Sequence, residues 1–267
     1  MKKQFKTLVF AIILVVSSSI THAQTNTLWW DIGGNINVTN QDHYLGTRVP
    51  INLEFLVNNS FSGIIERRPA YGNTSLGFQS LQNSHNSQNK NTAFGYQVLK
   101  FNTTGSNNTA QGYMALFNNI SGFHNTATGS NALYSNTTGI QNTANGYYSL
   151  YSNIAAVANT ATGFSSLYFN TWGYQNVANG WEALYSNDSG YQNTATGAEA
   201  LFSNTKGWKN TATGYSALYS NTTGTGNTAA GYQSLRANVI GIDNTATGYG
   251  ALGSNTADNN TAHGFAA

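Results

Sequence analysis

The chain has 267 residues, of which only 7% are charged, and its formal net charge is +2 at pH 7. Its lysines and arginines are scattered singly, which argues against nucleic-acid binding because there is no basic stripe to neutralise a run of phosphates. The 28 glycines and the 13% of aromatic residues indicate an ordered repeat rather than a disordered chain. Without cysteine, that repeat must be stabilised by its own stacking or by oligomerisation.

Residues 1–23 have the pattern of a secretory signal peptide. Three lysines precede an apolar run over residues 8–16, and small residues suited to cleavage end at Ala23. The apolar run is shorter than the ~20 residues that cross a bilayer. We therefore predict cleavage after Ala23, no direct membrane span, and a location outside the cell or on the outer surface of a bacterium.

Residues 24–72 are predicted to form a short N-terminal β module or cap, and residues 73–267 form an array of a 17-residue unit. Its consensus is N-T-A-T-G-Y-x-A-L-Y-S-N-T-T-G-x-x, and we number positions from the first asparagine. Two flanking copies, from Asn73 and Asn260, are each one residue out of phase, as terminal units of solenoids often are. Regular units, 17 residues apart, begin at Asn91, Asn108, Asn125, Asn142, Asn159, Asn176, Asn193, Asn210, Asn227 and Asn244.

Each position of the unit has a structural interpretation. Position nine is always leucine and is predicted to be the core, while the small residues at positions three and eight fit a crowded interior. Glycine at position five predicts a bend, and asparagine at position twelve with glycine at fifteen predicts a turn whose amides bond from coil to coil. The predicted core ladder consists of Leu99, Leu116, Leu133, Leu150, Leu167, Leu184, Leu201, Leu218, Leu235 and Leu252.

A period this short indicates the coils of a solenoid rather than separate domains. Helical repeats have units of about 33 to 47 residues and do not tolerate a glycine in every turn. We therefore predict an all-β fold, a parallel β-solenoid or β-roll of about eleven to twelve coils with two short strands in each. Such stacking produces a stiff spacer.

Aromatic side chains occupy two further positions, six and ten. Strand alternation predicts that position ten points away from the leucine core, and an outward aromatic stripe of this length is too large to remain in water. A stacking or subunit-interface role is the first interpretation, and a glycan-stacking platform is the second. At position sixteen, Tyr174, Tyr191 and Trp208 are consecutive and lie beside Trp172, so these four are the candidate ligand-binding residues.

The run N-T-A-T-G-Y-x-A-L resembles the head repeats of YadA-like trimeric autotransporter adhesins, and the longer run N-T-A-x-G-Y-x-A-L-x-S-N-T-T-G resembles bacterial tail-fibre-like surface proteins. The resemblance covers most of the chain, and residues 30–35, 45–47 and 51–59 look like the N-terminal module of the second group. The resemblance implies an elongated adhesive fibre that assembles as a homotrimer. It also implies that the ligand is a glycan or a protein of a host or of another surface. The same pattern leads us to expect a coiled-coil stalk, a membrane barrel or a chaperone segment as well, and residues 73–267 are instead occupied by the repeat.

No arrangement of residues predicts chemistry. The histidines share no position of the unit, and only Glu182 and Glu199 fall one coil apart, at the variable position seven, which we expect to face solvent. The turns lack the aspartates of calcium-binding β-rolls. We therefore predict no enzyme activity, no metal and no cofactor.

The sequence is compatible with three functions. A secreted or cell-surface structural or adhesive fibre explains the whole array, with its variable residues at positions seven, sixteen and seventeen. Ice binding would use the T-x-T pairs of positions two and four, which are interrupted in several coils. Glycan recognition would use position sixteen.

Overall fold

The computed structural model describes residues 52–66, 72–84 and 89–267, all within one compact unit, Pro50–Ala267. The predicted signal peptide (1–23), most of the predicted N-terminal module, and His43 and His85 lie outside the described residues. In the described part of the chain the fold is all-β, and no helix is long and apolar enough to cross a membrane.

Fourteen strands form a single sheet in chain order. The first three pair antiparallel, and β3 to β14 pair parallel. The prediction of a parallel β-solenoid is confirmed. The strands are β1 (Leu53–Val57), β2 (Ser60–Ile65), β3 (Thr74–Leu76), β4 (Thr92–Phe94), β5 (Thr109–Gln111), β6 (Thr126–Thr128), β7 (Thr143–Asn145), β8 (Thr160–Thr162), β9 (Val177–Asn179), β10 (Thr194–Thr196), β11 (Thr211–Thr213), β12 (Thr228–Ala230), β13 (Thr245–Thr247) and β14 (Thr261–His263).

Each coil contributes one three-residue strand, at positions two to four, so the prediction of two strands per coil is wrong. The second half of the coil is a series of turns because its backbone enters the left-handed region at positions seven and nine, as at Glu182 and Leu184, each with φ of 52°. Extended strands cannot pass through this region. The turns still bond from coil to coil, since the Leu184 amide donates to the Ala200 carbonyl oxygen at 3.0 Å.

The core is narrow and is formed within one chain. The leucines of position nine from Leu99 to Leu235 have 0% exposure, whereas Leu252, in the last full coil, is partly buried against the same cluster. Alanines of positions three and eight fill the remaining space, for example Ala178 and Ala183. Leucine therefore stacks on leucine at position nine and alanine on alanine at position three, while position eight holds alanine, serine or valine.

Two columns of buried asparagines join the coils. At position one, the backbone amide and Nδ2 of Asn193 donate to Oδ1 of Asn176 at 3.0 and 3.2 Å. The same Nδ2 also donates to the Gly207 carbonyl oxygen at 2.8 Å. At position twelve, Nδ2 of Asn187 donates to Oδ1 of Asn170 at 2.7 Å and to the Gly190 carbonyl oxygen at 3.0 Å. Most of these amides are thus both donors and acceptors along the column, and in the described residues Oδ1 of Asn238 is the buried exception without a donor.

Glycine at position five is required by close approach between coils. Gly180 has φ of 144°, and a Cβ added there would lie 2.5 Å from the carbonyl oxygen of Gly197. No side chain fits at that distance, so the bend predicted from the sequence is also a place where neighbouring backbones come close together.

Replacing Leu184 by Ala is predicted to lower the free energy of unfolding by about 2–5 kcal/mol, since a fully buried leucine leaves a cavity between layers that cannot collapse. Urea denaturation followed by circular dichroism measures the loss. Leu252→Ala is the matched control, with a smaller loss because that side chain is already partly exposed. Equal losses for the two variants would contradict the burial order.

Candidate ligand-binding surface

Three of the four sequence-predicted ligand-binding residues form one stack. The ring centroids of Tyr174 and Tyr191 are 4.8 Å apart and those of Tyr191 and Trp208 are 5.5 Å apart, with planes within 5° of parallel in both pairs. The ammonium of Lys209 lies 4.9 Å from the Trp208 ring centroid. Position sixteen therefore carries an ordered aromatic ladder that ends in a cation–π contact.

This stacking limits what the ladder can bind. Both faces of the middle ring, Tyr191, are covered by its neighbours, so it presents its edge and hydroxyl to solvent. Trp172 is separate: it lies at position fourteen, its side chain is 58% exposed, and no ring in the described residues stacks on it. A ligand that needs a free aromatic face would find one at Trp172.

Position ten forms a longer ladder that is half-buried, although strand alternation predicts that it points away from the core. The left-handed backbone at position nine breaks that alternation and lays the rings along the coil surface. Consecutive centroids lie 5.1 to 5.3 Å apart, with planes within 20° of parallel. The ladder consists of Phe117, Tyr134, Tyr151, Tyr168, Tyr185, Phe202 and Tyr219.

The aromatic residues of position six are more exposed than those of position ten. They stack in separate runs, for example Tyr215 on Tyr232 at 5.3 Å and Tyr232 on Tyr249 at 4.8 Å, and gaps occur where Ser130 and Ala198 replace the ring. Neither of the two long ladders lies in the core. Tyr148 contacts both ladders, through Tyr147 and Tyr151, so the two form one aromatic surface. Its charges are few, with Lys100 and Arg236 over the end rings of position ten.

An apolar groove that the sequence did not predict lies beside position twelve. Its open volume is about 630 Å³, and its lining includes Phe101, Ile120 and Ile154, at positions eleven and thirteen. These positions usually hold serine or threonine, so the groove arises from a few departures from the consensus. The isoleucines that replace threonine at position thirteen were the signal available in the sequence.

The paired glutamates of position seven are half-buried, so the expectation that this position faces solvent is wrong. Burial, and then the charge of Glu199 in the next coil, raise the pKa of the Glu182 carboxyl above its usual range. Glu199 accepts a hydrogen bond of 2.8 Å from the Ser216 hydroxyl. Within the described ranges no group of three or more metal-ligating side chains lies together.

Glu182→Gln is predicted to stabilise the fold at neutral pH. Because the pKa of Glu182 is raised on folding, its ionisation is less favourable in the folded chain than in the unfolded one. This destabilising contribution is absent at low pH and grows as the pH rises above about 4. Melting temperatures of both proteins are measured between acidic and neutral pH. The variant should melt at a higher temperature than the unmodified chain, by a difference that grows as the pH rises. A difference that stays constant with pH would contradict this assignment.

Comparisons of the chain with protein-family models, with curated proteins and with solved structures gave no match.

Proposed function

We propose that the chain is a secreted or cell-surface structural fibre whose stack of coils presents a repeated surface for attachment. One observation carries the proposal: the invariant positions of the unit pack between coils, whereas the side chains of the variable positions sixteen and seventeen are exposed or half-buried. Leu184, Asn176 and Gly180 all serve contacts between coils. The proposal assigns no catalytic role, no metal and no cofactor.

The aromatic surface is the part best suited to attachment. Aromatic residues are enriched in protein interfaces because each ring buries a large apolar area while a tyrosine hydroxyl can still bond. The position-six rings of Tyr215, Tyr232 and Tyr249 are exposed and are held in a fixed stack by their own coils. Side chains that are already ordered lose less entropy on binding than free ones.

We further propose that copies associate as a homotrimer through the aromatic stripe of position ten. The support is the length of this stripe: seven consecutive rings, only half-buried in one chain. Apolar surface of this extent is usually covered in soluble proteins. The core itself is complete within one chain, so association would bury the stripe rather than close the core.

Glycan binding is a second candidate, and Trp172 is the observation that favours it. Its indole is 58% exposed, and sugar rings pack on free aromatic faces of this kind. In this alternative the stacked Tyr174, Tyr191 and Trp208 would border the platform and contribute edges and a hydroxyl. Loss of binding to a glycan array in Trp172→Ala would support it.

Attachment is tested with beads that carry the mature chain, under flow over mucin-coated glass. The variant with Tyr215, Tyr232 and Tyr249 replaced by serine is predicted to reduce bead retention to that of uncoated beads. The control places serine at Thr211, Thr228 and Thr245, at position two of the same three coils, and should leave retention unchanged. No retention of the unmodified chain, or equal retention of both variants, would contradict the proposal.

The oligomer is tested separately by light scattering on the mature chain. We expect three times the single-chain mass, and single chains when Tyr151, Tyr168 and Tyr185 are replaced by serine, since three consecutive coils then lose their shared contact. A single-chain mass for the unmodified protein would contradict the trimer and leave the attachment proposal standing.

A further inference from the structure

The outer face of the parallel sheet carries a regular array of threonines. In the strands, positions two and four point outward and the alanine at position three points into the core, as in the exposed, buried, exposed pattern of Thr211, Ala212 and Thr213. The parallel pairs are in register, so Thr194 lies beside Thr211 and Thr196 beside Thr213. Threonines therefore form two straight rows that cross the strands.

The rows are most regular from β10 to β13. Seven of the eight outward positions there are threonine, and the eighth is Ala230. We call these eight residues the threonine patch: Thr194, Thr196, Thr211, Thr213, Thr228, Ala230, Thr245 and Thr247.

The hydroxyls of the patch differ from other threonine hydroxyls of the same coils. At position thirteen, the hydroxyls of Thr205 and Thr222 donate to carbonyl oxygens of the next coil at 3.1 Å. The patch hydroxyls make no hydrogen bond to any described residue. Every one of them remains available to water, at a position fixed by the backbone.

The face also lacks charge. From β4 to β14 the outward positions hold threonine, asparagine, glutamine, alanine, valine, phenylalanine and histidine, and no Lys, Arg, Asp or Glu. Charged side chains nearby, Lys209 and Asp243, lie at position seventeen, outside the strands. Bound water on the face is therefore arranged by hydroxyls and methyls and not by the hydration of ions.

The spacing of the array is set by the sheet. Neighbouring strands lie about 4.8 Å apart, and alternate residues of one strand about 6.6 Å apart. These repeats are of the same order as the separations of water oxygens in the planes of ice. A rigid array loses little entropy on binding. The free energies of many weak contacts made in register are then summed.

We propose that the threonine patch binds ice. The surface of ice is an uncharged lattice of hydrogen-bonding groups. The threonine patch matches it because the patch is an uncharged lattice of free hydroxyls. A crystalline polysaccharide is the rival occupant, and it is less well matched because the patch contains no aromatic ring on which sugars stack. Ice binding is independent of the attachment proposal, which uses the aromatic side of the coils.

Two substitutions at the centre of the patch test the proposal. Thr213→Tyr adds bulk and Thr213→Lys adds a charge at the same exposed position. If one variant misfolds, the other still tests the proposal. Thr223→Tyr is the control, in the same coil but at the exposed position fourteen. Circular dichroism verifies that each variant keeps the fold.

Partition of the mature chain into a growing ice hemisphere and thermal hysteresis are the measurements. We expect both for the unmodified chain and for Thr223→Tyr, and a fall to the level of buffer for the Thr213 variants. Absence of both activities in the unmodified chain overturns the proposal, as does an equal loss in the control. Retention on crystalline cellulose or chitin that is lost in Thr213→Tyr, without any ice activity, assigns the patch to a polysaccharide instead. Bead retention on mucin is unaffected by either outcome.

Discussion

The buried asparagine columns are the constraint on which the rest of the structure depends. A buried amide needs partners for both its oxygen and its nitrogen, and here the partner is the same residue one coil away, as between Asn176 and Asn193. Ala156 shows how tight this arrangement is. It replaces glycine at position fifteen of the coil that contains Asn153. The amide contact from Asn170 of the next coil to Asn153 is 3.4 Å long, whereas that from Asn187 to Asn170 is 2.7 Å long.

Because stability is generated between neighbouring coils, the outer positions are free to vary. The solenoid thereby separates its surfaces: an aromatic side at positions six and ten, a corner with Trp172, and a threonine face on the sheet. Each can be changed without touching Leu184 or Asn176. A single chain that closes its own core can present all of these surfaces along one stack, and this is the physical basis for proposing attachment and ice binding on different sides.

The inward features could be predicted from the sequence because a periodic array shows directly which residues never vary. Leu184 and Gly180 were found in this way, and the structure gives both a contact between coils. The path of the second half of the coil could not be predicted, since left-handed φ at Glu182 and Leu184 contradicts the ordinary preference of these residue types. The half-buried state of Tyr168 and of Glu182 follows from that path. Strand alternation predicted that Tyr168 lies outside the core but not that it is half-buried, and the variability of position seven gave a wrong, solvent-facing expectation for Glu182.

Stacked side-chain amides hold the coils in register, and two aspartate variants in one coil provide the test of this claim. Asn176→Asp replaces a buried donor by a carboxylate that faces the Gly190 carbonyl oxygen, whereas Asn179→Asp places the same charge on the exposed end of β9. Urea denaturation at neutral pH should show a much lower midpoint for Asn176→Asp and a midpoint close to that of the unmodified chain for Asn179→Asp. Equal midpoints for the two variants would contradict the claim.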